Sequence, residues 1–359
     1  MLSKINTAKS HQKTAQIIAQ RIAQRIAQRV AFLDILRFVA AIIVLVAHMH
    51  DEDVIIFGLD SIKFDLKNNL PILDSGVAGV IIFFLITGYI IPQIINNYKN
   101  STEFLINRCI RIYPLLIFLT LINAIIFDNL KYEKLLGLLL PIADFVKFDY
   151  ATHAVEWTLR IEFWYYIVIA LMFYNKILNF KNIILLTIIN SSLILFTYVN
   201  NFDYFNYRLI YINFIFLGSL LFYLENENFK SQKHIIITIL TGFFSIAVFE
   251  IFRLECTSIL FQGVLFGSIV FIIFYLIHQT KFQIKSNKFI KILGDISYPC
   301  YLLHLIMYNN IHIIFKSPIL SPIIFLFICC ILNIFVEKPI IKLLKKPKKL
   351  NFFSNKFFI

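Results

Sequence analysis

Charge is scarce in this chain. Only 15% of its 359 residues are Asp, Glu, Lys or Arg, against about 25% in an ordinary soluble domain. That excludes a soluble globular protein, whose surface this composition cannot cover. Signature loops are missing as well. There is no Walker loop, no dinucleotide fingerprint, no zinc pattern and no nucleophile elbow. The five cysteines, Cys109, Cys256, Cys300, Cys329 and Cys330, include no CxxC pair. Neither a disulfide framework nor a metal site is expected from them, and they read as small buried hydrophobes.

What the chain has instead is apolar residue, 59% of the total, with a mean hydropathy of +0.77. Long apolar segments recur from end to end. The expected class is an all-α polytopic membrane protein, since a helix satisfies its own backbone in lipid. Ten candidate spans are read at 32–49, 76–95, 113–130, 157–174, 182–199, 207–224, 235–251, 258–278, 293–315 and 319–337.

The net charge of +13 would suggest nucleic acid in a soluble protein; here the charge falls between apolar runs, so no nucleic-acid partner is expected. Its meaning is topological. With the first residues inside, the inner segments hold 24 Lys and Arg and the outer segments hold eight: Lys63, Lys67, Lys131, Lys134, Lys147, Arg208, Arg253 and Lys316. That bias predicts ten helices with both N- and C-termini cytoplasmic. The domain reading is one transmembrane domain over 32–340, a basic N-terminal extension over 1–31 and a basic tail over 341–359. The extension carries the repeat IAQRIAQRIAQR and lacks a small-residue cleavage site before the first span, so a retained signal anchor is expected. The repeat reads either as a basic amphipathic helix on the inner membrane surface or as a dispensable extension.

The first span, FLDILRFVAAIIVLVAHMH, carries an arginine inside an apolar run, where charge is costly. Arg37 and His48 are eleven residues apart. At 100° per residue they lie within about 20° of one face, roughly 16 Å apart along the axis. The functional reading is an anion-binding cation plus a general base, since imidazole titrates near neutrality. The ordinary reading pairs Arg37 with Asp34, one turn earlier, and leaves His48 as an interfacial residue.

Further stretches carry polar groups at membrane depth. Gly76, Gly79 and Gly88 in GVAGVIIFFLITGY permit close helix approach. Arg108 and Arg111 in NRCIRIYP share a face and can clamp phosphates, or are ordinary inner-loop charge. In EWTLRIEFWYY, Glu162 sits within an apolar run, Arg160 can pair with Glu156, and Trp157, Trp164, Tyr165 and Tyr166 read as an interfacial belt. In LGDISYPCYLLH, Ser297, Tyr298 and Tyr301 surround Pro299, with His304 deeper in the helix. In VEKP, Pro339 is expected to end the tenth span.

Together these stretches resemble the integral-membrane acyltransferase-3 family, which O-acylates bacterial cell-surface carbohydrates. The resemblance runs from about Leu33 to Ile340. Arg37 and His48 match the family's arginine, ten intervening residues, then histidine. FFLITGY is similar to its FFxxSGF motif, with Thr87 for serine. RCIRIYP resembles its basic motif, and WTLRIE resembles W-S-L-x-x-E with Thr158 for serine. LGDISYPCYLLH resembles G-x-x-S-Y-x-x-Y-L-x-H, and VEKP its closing E-x-P. Two departures are visible: Ile81 stands where the family often has an acid, and Phe163–Trp164 stands where Glu-Gln often follows.

The resemblance implies a multi-pass enzyme of the bacterial inner membrane. It would move an acyl group, most often acetyl, from acyl-CoA to a carbohydrate hydroxyl. Acyl-CoA would be a donor substrate, with no permanently bound cofactor and no metal; the other partners are a lipid-linked or surface glycan and membrane lipid. His48 would be the base, with Arg37 and Glu162 beside it. Arg37, Arg108 and Arg111 would hold the donor's phosphates. Trp157, Ser297, Tyr298 and His304 are candidates for acceptor contact. Succinyl transfer, acylation of a small metabolite, and transport of glycan intermediates remain as alternatives.

Overall fold

The computed structural model describes residues 31–46, 75–127, 155–200, 203–224, 268–273, 275–276, 287–311 and 320–345, and all its regular structure there is helical. Helix α1 covers 31–46. It is followed by α2 (Ser75–Ile94), α3 (Ser101–Phe127), α4 (Glu156–Tyr174), α5 (Phe180–Val199) and α6 (Asp203–Leu224). After a helical stretch at 268–273 come α7 (Lys288–Ile311), α8 (Leu320–Leu332), a π turn (Asn333–Glu337) and α9 (Lys338–Lys345). Among the described residues, four helices are long and apolar enough to cross a membrane: Gly76–Asn97, Ser101–Ile122, Phe180–Thr197 and Pro322–Lys345. The expected seventh span, 235–251, lies outside the described residues, as do most of the eighth, His48, residues 1–30 and residues 346–359.

Four expected spans match α2, α4, α5 and α6 to within four residues. Two expectations are corrected. The apolar run places the third span from 113, but α3 begins at Ser101. The backbone N–H of Glu103 donates to Asn100 Oδ1 at 2.8 Å, and Glu103 Oε2 accepts from the Lys99 N–H at 2.7 Å. This reciprocal cap starts the helix a full three turns early. Arg108 and Arg111 are therefore helical residues, not loop charge. The second correction concerns Pro339, which does not end the last helix. The Lys338 N–H bonds back five residues to the Asn333 carbonyl, and the wider turn passes into α9, with Pro339 in its first turn, where a missing N–H is tolerated. The first five residues of the expected tail, 341–345, are helical.

The bundle is organised by α2, whose Ile81, Leu85, Ile86 and Tyr89 are almost wholly enclosed. Small residues set the spacing, as their sequence positions suggest. A Cβ added to Gly79 would come within 2.7 Å of the Ala40 carbonyl oxygen on α1. One added to Gly88 would lie 1.9 Å from the Ile215 oxygen on α6, and one at Gly218 would lie 2.2 Å from the Leu85 oxygen on α2. Helices α2 and α6 thus meet backbone to backbone. Helix α6 is held on its other side by Asn190 of α5, whose amide donates to the Leu209 carbonyl at 2.8 Å and to Asn213 Oδ1 at 3.1 Å. Helix α4 joins through Tyr165 and Ser219, whose hydroxyls are 2.8 Å apart. Exposed Leu185, Ile188, Leu195 and Phe196 on α5, Phe327 on α8 and Phe335 in the π turn form apolar faces suited to lipid.

Candidate functional site

Helices α1, α2, α3, α4 and α7 line an open chamber, with about 830 Å³ of space when the solvent at its mouth is included. Its polar lining comes from Arg37, Thr87, Arg108, Arg111, Thr158, Glu162, Tyr166, Ser297, Tyr298 and Tyr301. Five of the separated sequence stretches therefore converge on one space.

The chamber is layered along α4. Glu162 marks the middle, where its Oε1 accepts from the Thr87 hydroxyl at 2.8 Å. The Tyr166 hydroxyl donates to the same oxygen. Tyr166 lies one turn along α4, about 6 Å by the helical rise, and there the cationic layer begins. The Arg108 guanidinium carbon sits 6.0 Å from the Tyr98 ring, 5.6 Å from Phe104 and 5.9 Å from Tyr166. Its Nη2 donates to the Tyr98 hydroxyl at 2.8 Å. Such a cage pays part of the desolvation cost of a cation that is only 9% exposed.

Arg111 is exposed and makes no hydrogen bond or salt bridge among the described residues. Arg37 is half-buried, with Nη1 3.5 Å from Asp34 Oδ1. The local ion pair and the chamber position both hold for Arg37. Asp34 is in turn buttressed by α7, because a Cβ on Gly294 would fall 2.5 Å from its Cγ.

One turn from Glu162 in the opposite direction the lining turns aromatic and apolar. The hydroxyls of Thr158 and Tyr301 share a hydrogen bond of 2.6 Å, and the Phe83 ring meets Tyr301 edge-on at 5.4 Å. On α7, the Tyr298 hydroxyl donates to the Ile112 carbonyl of α3 at 2.6 Å, and the Ser297 hydroxyl donates to the Gly294 carbonyl at 2.7 Å. Beside α7, the Asn333 amide in the π turn donates to the Asp295 carbonyl at 3.0 Å and to Glu337 Oε2 at 2.8 Å. Lys338 Nζ lies 2.8 Å from Asp295 Oδ2.

Of the candidates read from sequence, Arg37, Arg108, Arg111, Glu162, Ser297 and Tyr298 line the chamber. Trp157 does not; its ring packs on Tyr211 with centroids 5.0 Å apart. Nor does His304, which is buried and hydrogen-bonded through Nδ1 to the Tyr301 carbonyl in its own helix. The anticipated Arg160–Glu156 pair forms at 3.3 Å, both groups almost fully buried. Tyr166 and Thr87 were not singled out for the site. The signal for Tyr166 was its spacing, since position 166 stands four residues from Glu162 and shares its face. Among the described residues no group of three or more His, Cys, Asp or Glu is placed to hold a metal.

A helical bundle with membrane-length spans around a chamber lined, among the described residues, by three arginines and one carboxylate defines an intramembrane binding or catalytic site. A family model for the acyltransferase domain matches residues 30–337, most of the chain. The protein belongs to the acyltransferase-3 family and is a membrane acyltransferase. No curated protein and no solved structure matches the chain.

Proposed function

We propose that this protein transfers an acyl group, acetyl in the first instance, from acyl-CoA to a hydroxyl of a cell-surface carbohydrate such as lipopolysaccharide O-antigen, capsule or exopolysaccharide. It acts in the bacterial inner membrane, with both termini cytoplasmic. The observation that carries this reading is the convergence of Arg37, Arg108 and Arg111 with Glu162 on one chamber. Three cations suit the phosphates of a CoA donor, and the aromatic and apolar part of the lining suits a thioester arm.

His48 is the general base. It lies outside the described residues, two positions past the described end of α1. It takes the proton of the sugar hydroxyl as the oxygen attacks the thioester carbonyl. The C–O bond forms, the C–S bond breaks, and the proton passes to the departing thiolate to give CoA-SH. Glu162 orients the acceptor hydroxyl. Removal of His48 by substitution with Ala is expected to abolish O-acylation in cells while the protein stays in the membrane at its normal level. Mass spectrometry of surface polysaccharide reads the modification. Acyl transfer retained by that variant overturns the mechanism, and an unchanged acyl-CoA pool in wild-type vesicles supplied with acceptor overturns the reaction.

A further inference from the structure

Among the described residues Glu162 is the acidic side chain lining the chamber, yet it forms no salt bridge there. Arg37, Arg108 and Arg111 line the same chamber. A carboxylate kept only for structural balance would be expected to close on one of these cations. Instead it accepts from two neutral hydroxyls, Thr87 from α2 and Tyr166 from its own helix. Both donors fall on Oε1. A carboxylate offers about four lone-pair sites on its two oxygens, and among the described residues Oε2 takes no hydrogen bond.

The donors are themselves held. Thr87 is β-branched, so its side-chain torsion has few choices in a helix. It precedes Gly88, where α2 seats on the backbone of α6. The Tyr166 ring is fixed between Phe104, 5.9 Å away and nearly perpendicular, and Arg108, also at 5.9 Å. A glutamate free to rotate would lose more entropy on engaging a substrate than one already fastened at one oxygen.

We propose that Thr87 and Tyr166 are positioning residues that fasten Oε1 of Glu162 and so present Oε2 to the acceptor hydroxyl. The proposal rests on the acyl-transfer reading above for its kinetic consequence, but not for its geometry. Tyr166 has a second consequence, because it also walls Arg108. It ties the cationic layer to the carboxylate, so that donor and acceptor groups are held in one register.

The test uses the full-length protein in lipid nanodiscs. Thr87→Val and Tyr166→Phe keep the shape and delete one hydroxyl each. Each is expected to lower kcat about ten- to hundredfold, the value of a hydrogen bond to a charged group, with KM for acyl-CoA changed by less than about twofold. Thr87→Ser is expected to recover most of the lost rate. Wild-type kcat in both hydroxyl-deleted variants, or a loss confined to the donor KM, overturns the proposal. The second arm is the infrared difference between wild type and Glu162→Gln, which isolates the Glu162 carboxyl band. That band is expected to shift in Thr87→Val and Tyr166→Phe and to stay in place in Thr87→Ser. An unmoved band in the deleted variants overturns the positioning. Absent turnover of every acyl-CoA by wild type overturns the acyl-transfer reading, and the infrared arm then decides the positioning alone.

Discussion

Arg108 and Tyr98 are joined by a 2.8 Å hydrogen bond at the edge of the chamber, and that bond separates the roles of the two arginines on α3. Arg108 is enclosed by three rings, whereas Arg111, one turn on, is exposed. Substituting Arg108 by Ala is expected to cost about 1–3 kcal/mol of stability from lost cation–π and hydrogen-bond contacts, as well as donor affinity. Arg111→Ala is expected to raise KM for acyl-CoA and leave the melting temperature where it is. Thermal melting in detergent and donor titration in vesicles check the two arms. Equal melting losses in both variants would count against the division.

The approach of α2 to α6 makes a sharper structural demand. A methyl group at Gly88 or Gly218 would overlap a backbone oxygen, which cannot rotate away. Gly218→Ala is expected to destabilise the bundle by at least the 1–3 kcal/mol typical of overpacking, or about that amount if the helices separate slightly. Reduced yield of folded protein and a lower melting point are the readouts. An unchanged melting point would show that the interface yields more easily than its geometry implies.

Glu156 and Arg160 form a buried pair whose worth a double-mutant cycle can measure. Glu156→Gln and Arg160→Met singly should each cost about 3–5 kcal/mol, because each removes one member of a buried ion pair. The double variant should cost less than either single change plus the other. Simple additivity in chemical denaturation would mean that the pair's members act independently.

Much of the bundle was legible because an apolar run declares a span by length. Helices α2, α4, α5 and α6 begin and end near the expected residues for that reason. The start of α3 was not, because its first turns carry Glu103, Arg108 and Arg111, which hydropathy assigns to a loop. Asn100 and Glu103 held the missing information as a cap. Pro339 misled in the opposite sense, since the wider turn before it carries the helix past the proline.

At the site, charge out of place in an apolar run identified Arg37 and Glu162. Aromatics gave no such contrast. Trp157 and Tyr166 both read as interfacial rings, and Trp157 was the one also expected at the acceptor, yet it packs on Tyr211 while Tyr166 donates to Glu162. Which ring faces the chamber depends on how α4 is rotated against its neighbours, and that is decided by contacts distant in sequence, such as Thr87 to Glu162.

The π turn at Asn333–Glu337 acts as a phase shift in the last helix. One extra residue per turn rotates everything after it by about 100° relative to a continuous α-helix. Lys338 reaches Asp295 at 2.8 Å in the shifted phase. Excision of a single residue within 333–337 would leave the composition and hydropathy of the segment almost unchanged. It would nevertheless swing Lys338 about a quarter turn away from Asp295 on α7, so this part of the chain encodes its contacts by residue count as much as by residue type.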